Sequence, residues 1–168
     1  MRIFLNIADT QNNRIAVIGL GFVGLPLSVM LAEKGYNVIG IDKAQRKITS
    51  LQNSKSYIGD INDETLTKVI ESEHFRATTD YNEIRKVNSI IICVPTPLTT
   101  EKTPDLSYII SAGNEIQKRL QKGQLVILES STFPGTTKEV LLPILENSGL
   151  KVGTDFYLAN SPERIDPG

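Results

Sequence analysis

The chain has one cysteine, one histidine and no tryptophan in 168 residues. A single cysteine excludes an internal disulfide and fits a reducing compartment, so a cytoplasmic setting is the expectation. The lone histidine, His74, has no cysteine or carboxylate cluster around it at metal-ligand spacing, which argues for a surface role and no metal site. Neither charge sign dominates: 18 Lys and Arg against 19 Asp and Glu leave a formal charge of −1, without the basic excess of a nucleic-acid binder. Apolar runs such as Ile90-Ile91-Ile92-Cys93-Val94 fall far short of the ~20 residues needed to cross a bilayer, and no membrane partner is expected. Met1 to Asn13 carries a short apolar patch, Ile3-Phe4-Leu5, but no signal-peptide pattern, and reads as an N-terminal extension. With 40% hydrophobic residues and no repeats, the remainder should fold around one core, with a small molecule as partner.

From Arg14 to Ala159, apolar runs alternate with helical patterns. That alternation predicts an α/β, doubly wound (Rossmann-type) parallel sheet with crossover helices on both faces. Strands are expected at 14–19, 37–42, 75–78, 89–94, 124–129 and 156–160 in the order 3-2-1-4-5-6, and their dense Val and Ile content suits burial on both faces. Helices are expected near 22–35, 43–52, 61–72, 80–86, 105–121 and 136–148. In the fifth, Asp105 is placed to cap, and Leu106, Ile109, Ile110, Gly113, Ile116 and Leu120 fall on one face. Gly123 is the candidate for the left-handed residue that ends it.

The turn Gly19-Leu20-Gly21-Phe22-Val23-Gly24 lies between the first strand and the first helix. Gly19 permits a tight turn, Gly21 leaves room for a pyrophosphate, and Gly24 lets the helix approach the sheet. Unpaired N–H groups at that helix's start would face a phosphate, with Val23 contributing through its backbone. Asp42 ends the second apolar run, where a carboxylate can accept hydrogen bonds from ribose hydroxyls and favours NAD over a 2′-phosphorylated cofactor. Lys47 is within reach of the adenosine end, unless it is simply a solvated lysine.

Ligands in such sheets bind outside the carboxyl ends of the strands, which singles out loops 95–104, 130–135 and 160–168. Thr96 and Thr132 sit just past buried strands, where their hydroxyls either meet a ligand or cap local backbone. Glu129, Ser130 and Ser131 put polar atoms at a strand end, which is costly unless they are hydrogen-bonded. Glu163 follows the last strand and has the chemistry to order a water or accept a proton; the alternative is a solvated glutamate. Cys93 lies inside a buried strand, where a thiol is inert, and reads as packing.

Four segments together resemble the UDP-glucose/GDP-mannose dehydrogenase family in its N-terminal domain: Gly19-Leu20-Gly21-Phe22-Val23-Gly24-Leu25-Pro26, Val94-Pro95-Thr96-Pro97, Glu129-Ser130-Ser131-Thr132 and Ser161-Pro162-Glu163-Arg164. Family members oxidise the C6 alcohol of a nucleotide sugar to a carboxylate in two NAD-dependent steps. The resemblance implies that Gly19, Gly21, Val23 and Gly24 hold the pyrophosphate, and that Asp42 and Lys47 serve the adenosine side. It places Thr96 near the cofactor, gives Thr132 cofactor and a catalytic water, and assigns Glu163 to that water and Arg164 to the sugar. Ser-Pro-Glu-Arg followed by Pro167-Gly168 resembles the branch acting on UDP-N-acetylhexosamines, and Val94 to Thr99 with Pro104 to Tyr108 resembles members that use UDP-N-acetylglucosamine for surface polysaccharides. UDP-glucose, UDP-N-acetylgalactosamine and UDP-N-acetylmannosamine stay open as substrates, as does a non-catalytic dinucleotide-binding module. Family members continue into a central helix, which carries much of a homodimer contact, and a second domain holding the catalytic cysteine and lysine. Residues 14–168 are therefore expected to be the NAD-binding domain, inactive alone.

Overall fold

The computed structural model describes residues 13–100 and 103–162. Six strands form one parallel sheet: β1 (Arg14–Ile18), β2 (Asn37–Ile41), β3 (Phe75–Thr78), β4 (Ser89–Ile92), β5 (Leu125–Leu128) and β6 (Tyr157–Asn160). Their order is β3-β2-β1-β4-β5-β6, as the alternation predicts. The central strand β1 pairs with β2 on one side and β4 on the other, with Ile18 level with Ile41 and Ile92. This is where the winding direction reverses and a crevice opens above the strand ends.

The period of two along each strand feeds two cores. Ala16, Ile18, Ile90 and Ile92 face the side covered by α4 (Ser107–Gln117) and α5 (Leu142–Glu146). Ile15, Val17, Ile91 and Cys93 face the side covered by α1 (Gly24–Glu33), α2 (Gln45–Gln52) and α3 (Asp63–Glu71). The near-continuous apolar strands thus follow from helices on both faces.

Several helix details depart from the expectations. The stretch Tyr81–Lys86 is a 3-10 helix, entered through Asp80, whose side chain accepts the Asn82 N–H. The last helical region is a π-helix, Thr136–Leu141, running into α5. Asp105 accepts the Ser107 N–H at 2.8 Å, but as a turn one residue ahead of the Leu106 N-cap. Ile110 is exposed, and Ala112 takes its expected place in the core. Gly123 is left-handed at φ 84°, yet α4 has already ended at Gln117; the glycine serves the turn into β5 and donates to the Asp155 carbonyl. The buried Gln124 fixes that corner, donating to the Ile84 and Val87 carbonyls at 2.7 and 2.8 Å.

Candidate functional site

The glycine turn is built against the sheet by main-chain contacts. Gly19 has φ 93° and donates to the Ile41 carbonyl at 2.8 Å. A Cβ there would lie 2.6 Å from the Cys93 carbonyl oxygen, so a side chain is excluded by both conformation and space. At Gly24 a Cβ would lie 1.9 Å from the Gly19 carbonyl oxygen and 3.1 Å from the Cys93 Cβ. Gly24 therefore brings α1 against its own entry turn. Gly21 differs: a Cβ there would meet no protein atom within 4 Å. No steric demand of the fold calls for glycine at that position, three residues ahead of α1.

That start has no side-chain cap, and its N-cap is Val23. The first N–H groups of a helix have no partner within it; here the Leu25 N–H donates to the Gly21 carbonyl at 3.1 Å and Pro26 has no N–H, so the Val23 and Gly24 N–H groups are the ones placed to meet an anion. Asp42 lies beside the same turn. Its Oδ2 accepts the Leu20 N–H at 2.9 Å and the Lys47 ammonium at 2.7 Å, and its Oδ1 accepts the Ala44 N–H at 2.9 Å. Burial works against its charge, but hydrogen bonds from Lys47, Ala44 and Leu20 outweigh it and hold the carboxyl below the usual carboxylate range. Three of its roughly four acceptor positions are filled, leaving one on Oδ1 for a hydroxyl donor. The Ala44 bond also explains why α2 begins at Gln45, because Asp42 makes the turn that precedes it.

Lys47 is not a solvated lysine: it pairs with Asp42 with 26% of its side chain exposed. A cavity of about 540 Å³ opens beside the pair, with Gly19, Tyr81, Tyr108 and Ser111 on its walls. Lys43 donates to Ser111 across its rim. Burial, followed by the charge of Asp42, pushes the Tyr81 hydroxyl up to about 12, so it stays a donor at neutral pH. A glycine with space over it, an uncapped helix and an ordered carboxylate all fit a dinucleotide.

At the far end of the rim, Thr96 donates to the Ser131 carbonyl at 2.6 Å and Ser130 donates to the Val94 carbonyl at 2.9 Å. Those bonds pair the Thr96 and Ser130 hydroxyls and tie the two loops together, with the Thr96 hydroxyl oxygen still able to accept. Thr132 is half-buried and lines a second cleft of about 780 Å³ with Ser130, Ser131, Asn160 and Pro162. Asp42 with Lys47 and the glycine turn thus form one group, and Thr96 with Thr132 another. Glu163 and Arg164 lie outside the described residues, as does the expected extension up to residue 12. Cys93 is buried at 6% exposure, packed under Gly24. His74 contacts Ser72 at 3.1 Å.

Sequence reasoning missed Lys43, Tyr81 and Ser111, and met Tyr108 only within the resembling segment 104–108. Lys43 and Ser111 lie 68 residues apart, and no local pattern announces such a contact. No helix among the described residues is long and apolar enough to cross a membrane.

The profile of the UDP-glucose/GDP-mannose dehydrogenase family, NAD binding domain, matches residues 13–168. A UDP-N-acetyl-D-glucosamine 6-dehydrogenase from Salmonella typhi is 41% identical over 157 residues, covering 92% of this chain and 36% of that protein. A UDP-N-acetyl-D-mannosamine dehydrogenase from Pyrococcus horikoshii is 40% identical over 157 residues, covering 92% of this chain and 37% of that protein. Among solved structures, the Pyrococcus horikoshii UDP-D-ManNAc dehydrogenase superposes with TM-score 0.85 at 40% identity, over 92% of this chain and 37% of that one. A GDP-mannose dehydrogenase ternary complex from Pseudomonas aeruginosa gives TM-score 0.86 at 30% identity, over 91% of this chain and 36% of that one. The chain thus spans just over a third of the length of these curated relatives.

Proposed function

The chain belongs to the UDP-glucose/GDP-mannose dehydrogenase family, with NAD as its cofactor, and from that premise we propose that residues 14–168 are the NAD-binding half of a UDP-N-acetylglucosamine 6-dehydrogenase. The complete enzyme would oxidise the C6 alcohol to the uronic acid with two NAD for surface-polysaccharide synthesis, acting in the cytoplasm as a homodimer or larger assembly. The observation that carries the reading is the open space over Gly21 beside an uncapped α1 and the ordered Asp42.

When bound, NAD supplies the hydride acceptor. Gly19 makes the turn, with its own N–H spent on the Ile41 carbonyl, and Gly21, Val23 and Gly24 would hold the pyrophosphate through main-chain N–H groups, while Asp42 would accept from the adenosine ribose and Lys47 keeps Asp42 charged and oriented. Thr96 and Thr132 serve the other end of the cofactor, beside Pro162 and the segment that continues to Glu163. Thr132 and Glu163 orient the water that hydrolyses the final thioester, and Arg164 binds the sugar. The thiolate needed to carry the aldehyde between the two oxidations must be accessible. Cys93 is buried in the sheet, so residues 1–168 bind NAD without forming acid.

The Ser161-Pro162-Glu163-Arg164 segment supports a UDP-N-acetylhexosamine, and residues 94–99 with 104–108, together with the Salmonella typhi relative, support UDP-N-acetylglucosamine among these. UDP-N-acetylmannosamine is the second reading, on the strength of the nearly equal identity to the Pyrococcus horikoshii enzyme. Calorimetric titration of residues 1–168 should give saturable 1:1 NAD binding and much weaker NADP binding. Incubation with NAD and UDP-sugars should give no acid, whereas the full gene product should act fastest on UDP-N-acetylglucosamine. Absence of NAD binding, or sustained acid formation by residues 1–168 alone, would sink the reading; faster turnover of UDP-N-acetylmannosamine would replace the substrate.

A further inference from the structure

Both main-chain polar groups of Leu20 in the glycine turn are held by side chains from elsewhere in the chain. Its N–H donates to Asp42 at 2.9 Å, and its carbonyl accepts from the Tyr57 hydroxyl at 2.8 Å. The ammonium of Lys47 lies 5.9 Å from the centre of the Tyr57 ring while bonding Asp42 at 2.7 Å. Leu20, Asp42, Lys47 and Tyr57 thus close a ring of four contacts around the turn. A cation over a tyrosine face is attracted by the ring, so the aromatic face and the carboxylate hold the same ammonium.

Tyr57 is 37% exposed, but the chain on either side of it is fixed. On one side of it, Ser56 donates its N–H to Asp63 at 2.8 Å and Lys55 pairs with Asp63 at 2.7 Å; on the other, Ile58 is buried. The Tyr57 hydroxyl is pushed upward by burial and then by the Asp42 charge, so it is a donor throughout the physiological range. A third cavity, of about 560 Å³, borders this tyrosine and has Gly21, Phe22 and Lys47 among its walls.

We propose that Tyr57 is a positioning residue for the dinucleotide: its hydroxyl holds the Leu20 carbonyl so that the turn's N–H groups face the pyrophosphate, and its ring holds Lys47 on Asp42. The proposal rests on the NAD reading above. It separates the two functions of one side chain. Loss of the hydroxyl alone loosens the phosphate end; loss of the ring also releases the adenosine end.

The test uses residues 1–168 with Tyr57→Phe and Tyr57→Leu, titrated with NAD, ADP-ribose and adenosine, with melting temperatures recorded in parallel. Tyr57→Phe should weaken NAD and ADP-ribose by about 2- to 10-fold, the effect of one hydrogen bond, and leave adenosine within about 1.5-fold. Tyr57→Leu should weaken all three. If the role were merely structural, Tyr57→Phe would lower the melting temperature and weaken the three ligands in parallel, adenosine included, overturning the proposal. So would unchanged NAD and ADP-ribose affinity in Tyr57→Phe. Wild-type protein that binds no NAD would instead remove the reading on which the proposal rests, a result visible before any variant is made.

Discussion

Gly21→Ala separates the fold from the binding site. A methyl at Gly21 meets no protein atom within 4 Å, and its φ is not left-handed, so the folded chain accepts it. Alanine at a compatible position stabilises by about 0.4–1 kcal/mol through the unfolded chain, which for this size raises the melting temperature by roughly 1–4 °C. The same methyl occupies the space into which the pyrophosphate is proposed to settle. Shifting the phosphate off two charge-assisted hydrogen bonds, at about 1.5 kcal/mol each, forfeits about 3 kcal/mol, at least a 100-fold loss of NAD affinity. Gly24→Ala is the opposite control: its Cβ would stand 1.9 Å from the Gly19 carbonyl oxygen, main chain that cannot swing away. Overpacking of that kind costs about 1–3 kcal/mol or more and should lower the melting temperature by roughly 2–12 °C. Differential scanning calorimetry and NAD titration on both variants give the two readouts. A folded Gly21→Ala protein that binds NAD within about threefold of wild type would refute a pyrophosphate seated against Gly21.

Asp42 has its carboxyl lowered in the folded chain, so its share of stability is present above the ordinary aspartate range and lost as pH falls through the lower folded value. Urea unfolding from pH 6 down to pH 2.5 should show that loss, and Asp42→Asn should flatten that part of the profile. Gln124→Leu leaves the Ile84 and Val87 carbonyls without the donor that now serves both, and should destabilise by about 2–4 kcal/mol in urea titrations with NAD affinity unchanged. Cys93, at 6% exposure, should react with a thiol reagent only as fast as the protein opens, so rapid labelling in native buffer would contradict its burial in the sheet.

The strands were legible because burial on both faces leaves a run of Val and Ile that little else produces, and each observed strand lies inside its expected range. Asp42 was legible for a similar reason, since a carboxylate ending a buried strand must find donors, and it finds three. Helix ends were harder. Asp105 has the right chemistry for a cap, but the chain uses it one residue early, and Ile110 fits the apolar face by spacing while pointing into solvent. Pattern gives an angle around a helix and says nothing of how wide the covered stripe is. Tyr57 could not be read at all: it sits in a polar connection without periodicity, and its hydroxyl partner Leu20 is 37 residues away. Thr96 held two sequence readings, ligand contact and local backbone capping, and the structure shows a third use of its hydroxyl, a tie to the Ser131 carbonyl of the next loop that no local pattern announces.

The parallel ladder continues one step past the strands. Gly19 bonds to the Ile41 carbonyl, Cys93 to Ile18, Glu129 to Ile92 and Ser161 to Leu128, so the loops leave the sheet from a common level. The chain therefore carries a ruler. Asp42 directly follows β2 and the loop that carries Thr132 leaves β5, and those two strands stand three spacings apart, an interval of about 14 Å that the loops do not set. A lengthened loop or an exchanged rim residue alters what is grasped at either end of that interval but leaves the interval itself unchanged, so the grip at each end can vary independently while the reach stays constant.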